Sequence, residues 1–383
     1  MYPKVKVFLH SFLIIVIAIS CQSKDTFSWN AGFSAPKHYG ATGPFVEYFY
    51  QGQSIAGASS GVGINPGWEI TSGGYVGGDK YKTVPDSIAV KWICGVDRYS
   101  YEGGSKLPRN KMLELFKTKA IDSYGNRQEY SLIVAGMAPG GNVTIWMQGG
   151  TGSTEICKFK TENKGVWKEN DTEYNKYITE HRTISEAFKE SSFFWKIHGI
   201  PYSVWEKGEK EYDYDIGFSS EEEYKFALTF YTKDGSLFQV DNKSSFLPWK
   251  YRFVSYPKNS DHLSKKKKLP VQIHIQWYSQ DESRWFNGDI IMPQNLEKKI
   301  NSSQFDRMII SIEKDTQDKV IGDIYLVNKS KQDKIMSFQL GVYNESLKKL
   351  MAPEYSLPKG FVFPKWEGRE HLEFPELDYW QEK

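Results

Sequence analysis

Apolar residues alternate with polar or small ones most cleanly at two places in this chain. Ile88, Val90 and Trp92 do so within residues 87–93, and Ile273, Ile275 and Trp277 within residues 272–277. A period of two is that of a strand with one face in a core and the other in water. Residues 99–106 predict a return strand for the first of these, with Gly103-Gly104 marking a bulge or an end. After Pro108 and Pro293 the pattern turns helical, over 110–119 and 295–300. Proline is tolerated in a first helical turn because its missing N–H would have had no partner there. Residues 132–137 and 143–147 predict a hairpin over Ala138-Pro139-Gly140-Gly141, and 308–312 with 320–327 predict a second. A further helix is expected within 173–189. Short connections and alternating faces favour antiparallel sheets, so the expected class is α+β and β-rich.

These elements come in pairs. Val84 to Trp92 lies over Leu269 to Trp277 without a gap, and each Trp precedes a shared proline, Pro108 or Pro293, by the same spacing. Tyr101 and Gly103 fall on Phe286 and Gly288. Upstream, Phe45 to Tyr50 resembles Phe226 to Tyr231, with Trp68 and Trp249 equally far beyond. Downstream, Gly199-Ile200-Pro201 with Val204-Trp205-Glu206 resembles 360–367. Collinear blocks of this kind predict two tandemly repeated units, each with antiparallel sheets and one or two helices. The expected layout is a leader over 1–20, a tether over 21–28, unit one over 29–212 and unit two over 213–383. At 383 residues the chain is long enough to bury a core in each.

The units differ in character. Residues 52–78 are Gly- and Ser-rich and read as a long surface loop. The corresponding stretch of unit two ends in Lys265-Lys266-Lys267-Lys268, which reads as a solvated loop or edge guard, or as a site for a lipid or glycan phosphate.

Residues 1–20 carry Lys4 and Lys6 ahead of an apolar run too short to span a bilayer. The run ends in Ala18-Ile19-Ser20-Cys21, followed by polar residues. This resembles the lipobox of bacterial lipoproteins. The resemblance makes Cys21 the acylated N-terminus of a soluble body held to the membrane by its lipids. Removing Lys4 and Lys6 from the 49 basic residues leaves 47 against 47 acidic ones. A balanced surface has no general field for a phosphate backbone, and nucleic acid is not an expected partner. Cys94 and Cys157 both fall in unit one, with no counterparts in unit two. Two arrangements stay open for them, a disulfide or two free thiols.

Little in the chain spells catalysis. Gly57-Ala58-Ser59-Ser60-Gly61 fits G-x-S-x-G, but no helical pattern follows it and unit two has no serine there. Gly61-Val62-Gly63 lacks the spacing of a dinucleotide fingerprint. No histidine pairs with another His or a Cys at metal-ligand spacing. His274 reads as a solvent-face residue of its strand. Asp281-Glu282 and Glu221-Glu222-Glu223 have no acid–base spacing behind them. No cofactor or metal is expected. Aromatics remain, at 15% of the chain. Trp68, Trp92, Trp205, Trp249, Trp277 and Trp366 recur in both units and read as core anchors. Trp146, Trp167 and Trp285 occur in one unit only and read as surface platforms. Trp146 and Trp285 are thus the expected partner-binding residues.

The lipobox, Pro66-Gly67-Trp68, the strand ending in Trp92 and the Leu107-Pro108 helix entry together resemble a family of bacterial envelope lipoproteins. That family is the domain of unknown function 2931 family. Unit one carries the likeness best. Unit two keeps the Trp-Tyr-Ser strand ending of the family at Trp277-Tyr278-Ser279, whereas unit one departs from it with Trp92-Ile93-Cys94-Gly95. The family offers no catalytic residues to carry over. Members of this kind accompany toxin genes of secretion systems, which implies an immunity role. The resulting expectation is a non-enzymatic envelope lipoprotein, lipid-anchored to the outer membrane and facing the periplasm or cell surface. It binds a protein partner through the Gly-rich loop and the cleft between units. A glycan-binding or glycan-hydrolysing protein is the alternative.

Overall fold

The computed structural model describes residues 25–72, 79–97, 99–121, 126–150, 152–167, 186–220, 224–241, 252–254, 266–279, 285–293, 295–303, 305–315, 319–328, 331–343 and 354–361. The first half opens with β1 (Thr26–Ser28) and β2 (Asn30–Ser34). The long hairpin of β3 (Ala41–Tyr50) and β4 (Gln53–Ser59) follows, then the short β5 (Gly63–Ile64) and β6 (Tyr81–Thr83). Next come β7 (Ser87–Cys94), β8 (Tyr99–Lys106) and helix α1 (Arg109–Lys117), then the short pair β9 (Ala120–Ile121) and β10 (Arg127–Gln128). Strands β11 (Leu132–Ala138), β12 (Asn142–Gly149), β13 (Gly152–Lys160) and β14 (Glu162–Val166) complete the sheets, and α2 (Glu186–His198) and α3 (Tyr202–Lys207) close the half.

The second half begins with β15 (Glu211–Asp213), β16 (Asp215–Ser219), β17 (Tyr224–Thr232), β18 (Leu237–Asp241) and β19 (Arg252–Val254). It continues through β20 (Lys266–Lys268), β21 (Pro270–Ser279), β22 (Trp285–Ile291) and α4 (Leu296–Ser303). It ends with β23 (Arg307–Asp315), β24 (Lys319–Val327), β25 (Gln332–Tyr343) and β26 (Glu354–Ser356).

In the first half one sheet runs β14-β8-β7-β3-β4 with β5 beside β3, and a second runs β13-β12-β11-β2. In the second half one large sheet runs β18-β17-β21-β22-β25-β24-β23-β16-β19, with β26 beside β22, and β15 pairs with β20 apart from it. Most neighbours are antiparallel. The exceptions are β2 on β11, β16 on β23 and β26 on β22, which are parallel.

Strand β7 shows why alternation was so readable: Ile88, Val90, Trp92 and Cys94 face inward while Ser87, Ala89, Lys91 and Ile93 do not. By contrast, all of β12 is buried on both faces. Each half has its own apolar core. The first is built around Trp29, Tyr48, Trp92 and Trp146, the second around Phe230, Ile273, Phe286 and Ile310. Trp68 packs edge-on against Trp146 at 4.8 Å between ring centroids. Helix α1 lays Met112 and Leu113 on the first core.

Two expectations are corrected here. Gly103-Gly104 is neither bulge nor end: β7 and β8 pair in one unbroken register from Ser87 with Lys106 to Ile93 with Ser100. Gly104 instead leaves room for the Ile88 carbonyl, which a side chain would strike. The Gly-rich stretch is not loop throughout: its first part holds β4 and β5, both paired with β3, and residues 73–78 fall outside the described ones. Most of the helix expected within 173–189 falls in residues 168–185, outside the described ones; its last residues lie in α2, Glu186–His198.

Candidate binding site at the seam between the halves

The halves interlock through the turn joining β17 to β18. Asp234 initiates it by accepting hydrogen bonds on its carboxylate from the Ser236 N–H at 2.9 Å and the Thr232 hydroxyl at 2.8 Å. Gly235 then adopts φ 76°, a conformation that favours glycine. Its carbonyl accepts from the Lys37 N–H at 2.9 Å and the Trp68 N–H at 3.0 Å, both in the first half. The Trp205 indole of α3 donates to the Asp234 carbonyl at 2.8 Å. The turn is therefore held by three donors from the other half.

Charge reinforces the seam. Lys268 of β20 sits 2.6 Å from the Asp234 carboxylate and 3.9 Å from that of Glu69. It also donates to the Ser236 hydroxyl at 2.9 Å. Burial raises Asp234, but Lys268 outweighs it and holds the carboxyl below its usual range. Burial lowers Lys268, and its carboxylate neighbours more than reverse that. Glu209 accepts the Asp234 N–H at 3.0 Å. Burial, helped by the Asp234 charge, pushes Glu209 up to about 8 despite the pull of Lys268. The site thus disfavours the charged form of this carboxyl. The lysine run is thus not a free edge guard: Lys266–Lys268 form a strand paired with β15, and Lys268 is tied into the seam.

A half-open cleft of about 370 Å3 lies beside this seam. Val204, Leu269, Pro270, Val271, Pro293 and Leu296 supply its apolar surface, and Lys207, Lys210 and Lys233 bring cations to it. Lys210 lies 4.5 Å over the Tyr212 ring and donates to Asn301 at 3.0 Å. The Tyr212 hydroxyl donates to Glu297 at 2.8 Å. Its elements come from both halves, α3 on one side and β21 and α4 on the other.

A second polar group crosses the seam deeper in. His198 of α2 meets Gln272 at 3.1 Å, Gln272 donates to Asp289 at 2.8 Å, and His274 meets Asp289 at 3.2 Å. Asp289 is only 3% exposed. Burial drops His198 to about 3, so it stays neutral. Burial also lowers His274, but Asp289 overrides this and raises it. His274 is thus a paired residue and not a plain solvent-face one. Sequence reading missed this chain of groups, because its members come from three separate elements. The outward phase of Gln272 and His274 on β21 was the available signal.

The expected site residues fare differently. Trp146 is 1% exposed and wedged against Trp68, so the expectation of a surface platform is corrected: it is core. Gly136 makes room for its ring, which a Cβ there would strike. Trp285 begins β22, where its backbone faces Tyr278 and Tyr343, and its side chain lies outside the described residues. Trp167 is half-buried. Cys21 falls outside the described residues as well, as do Asp281-Glu282 and Glu221-Glu222-Glu223. Cys94 and Cys157 are both free thiols, the first buried and the second half-buried. Ser59 ends β4 and Ser60 accepts the Val62 N–H at 3.2 Å, a local turn with no helix after it. Among the described residues no group of three or more His, Cys, Asp or Glu is placed to hold a metal ion.

What the seam offers chemically is cations, hydrogen-bond donors and an apolar floor, the ingredients of recognition. Residues 19–203 match the family model described as protein of unknown function (DUF2931), which supports the family resemblance over the first half of the chain. No curated protein and no solved structure matches the chain.

Proposed function

We propose that this chain is a non-enzymatic lipoprotein of the bacterial envelope, anchored through Cys21, that binds a protein partner at the seam between two copies of one folding unit. An immunity or inhibitor role against an envelope-targeting effector is its sharpest form. The observation that carries the reading is the open, lysine-bearing cleft beside an interlocked seam. Such a cleft is a shaped recognition surface.

Four observations support the duplication. Taken together, β13 and β14 occupy the place of β25, and the strand order of each half then runs in the same sequence. Registers agree too: Trp92 faces Tyr101 as Trp277 faces Phe286, and Ala89 faces Gly104 as His274 faces Asp289. Lys82 donates to the Trp29 carbonyl at 2.7 Å and lies 5.5 Å over that ring, while Lys267 donates to the Tyr214 carbonyl at 2.8 Å and lies 5.4 Å over its ring. Strands β2 and β16 share the run Gly-Phe-Ser, at Gly32-Phe33-Ser34 and Gly217-Phe218-Ser219. The register also corrects one aligned block by a residue. Tyr48 faces Ile88 as Phe230 faces Ile273, so Tyr48 corresponds to Phe230 and not to Thr229.

A soluble form beginning at Lys24, immobilised and exposed to envelope and secreted fractions of the source cells, tests the reading. One protein retained in stoichiometric amount through a salt wash is the expected outcome. Retention of glycan fragments alone would favour the glycan-handling alternative, and an empty eluate would count against partner binding.

A further inference from the structure

We infer that the cleft beside the seam takes an acidic peptide segment of the partner, carboxylates toward Lys207 and Lys210 and aliphatic side chains on the floor made by Leu269 and Leu296. This rests on the partner-binding reading and adds to it the chemistry of the bound segment.

Charge makes the first argument. Acidic and basic residues nearly balance over the whole chain, at 47 and 49. The cleft departs from that balance: three lysines border it against two glutamates. One of the two, Glu209, is buried and accepts the Asp234 N–H, and burial beside the Asp234 charge disfavours its ionised form. The other, Glu297, already accepts the Tyr212 hydroxyl. An occupant with negative charge therefore meets a local excess of cations, in a recess where water screens less than on an open surface.

The shape makes the second argument. A volume of about 370 Å3 fits a few side chains and not a whole domain. The floor carries prolines and aliphatic residues, Pro270, Pro293, Leu269 and Leu296 among them, which suits the hydrocarbon part of a peptide. A bare phosphate would gain nothing from that floor. Arginine, whose fork suits phosphate best, is not among the lining residues.

The test selects binders to the soluble chain from a random peptide library and compares the parent with Lys207→Glu/Lys210→Glu. Both lysines are exposed, so the fold should survive, and a far-ultraviolet spectrum with a melting curve checks it. Selected peptides should be rich in Asp and Glu beside Leu, Ile, Val or Pro. A representative peptide should lose at least about tenfold in affinity to the reversed variant, and it should weaken as salt rises. Its Gln-for-Glu version should bind poorly. Peptides without acidic enrichment, or binding indifferent to the reversal, would overturn the inference. So would equal competition by inorganic phosphate. The two readings separate cleanly in the capture experiment. A partner retained equally by parent and reversed variant would sink the cleft assignment while leaving partner binding intact. Acidic peptides bound at the cleft with no partner captured would do the reverse.

Discussion

Replacing Gly235 with alanine tests the interlock of the halves most sharply, because the chain carries its own control. Gly52 and Gly235 both sit in hairpin turns with left-handed backbone, at φ 78° and 76°. Around Gly52 a Cβ would meet nothing within 4 Å, whereas at Gly235 it would lie 2.5 Å from the Pro36 Cβ and 3.0 Å from the Lys37 nitrogen. Gly52→Ala should therefore cost only the backbone strain of an L-residue in that region, about 1 kcal/mol. Gly235→Ala carries the same strain and must also push the turn away from the first half. That weakens the bonds from the Lys37 and Trp68 N–H groups, at about 1 kcal/mol each. The expected total is about 3 kcal/mol. Urea unfolding of both variants, read at the earliest transition because two cores can melt in steps, gives the comparison. Equal costs for the two substitutions would refute the claim that this turn is docked.

Other expectations follow from the seam and the cores. Lys268→Met should cost about 3–5 kcal/mol, because it strands the Asp234 carboxylate in a buried site; a loss under about 1 kcal/mol would show the pair to be dispensable. Glu209 has its folded value raised, so the folded state holds a proton the unfolded chain releases. Its contribution is complete below the ordinary carboxyl range and is lost as pH rises toward about 8. Glu209→Gln should accordingly flatten the fall in melting temperature across that window, and parallel profiles for parent and variant would contradict the assignment. Lys82→Met and Lys267→Met should each cost about 1–3 kcal/mol, and by similar amounts, since each removes a charged donor from the carbonyl of a buried aromatic residue. Trp146→Ala should cost about 3–5 kcal/mol, as expected for a core tryptophan. In denaturant without reductant, the soluble form from Lys24 should titrate for both Cys94 and Cys157; no reactive thiol would mean a disulfide.

What could be read from the chain was whatever depends on neighbours in sequence. Strand β8 was expected at its observed bounds, Tyr99–Lys106, and β7 and α1 within one or two residues, because period and proline position are local signals. The β-rich, largely antiparallel class followed from the same periods. What could not be read depends on contacts between distant residues. The bulge in β3 between Thr42 and Phe45 against β7, and the one in β4 at Ile55 against Tyr48 and Phe49, each move the register by one and leave no mark in composition. A one-residue slip exchanges the two faces of a strand, so alternation alone does not fix which residues pair. Trp146 looked like a surface residue because the other unit has no tryptophan there; Trp68 and Gly136, far away in sequence, make its pocket. Lys268 looked solvated because nothing near it announces Asp234. The cleft and the chain from His198 to His274 were out of reach for the same reason, since both are assembled across the seam.

The most direct measurement of the central claim is a photo-crosslinking one in the source cells. A photo-reactive residue is placed at Lys210 in the cleft or at the exposed Lys164 on β14, in the otherwise full-length chain. One adduct of defined mass is expected from position 210, carrying an acidic peptide of a second protein at the crosslink, and none from position 164. Adducts equally frequent at both positions, or absent from the cleft while the partner is still captured, would contradict that claim.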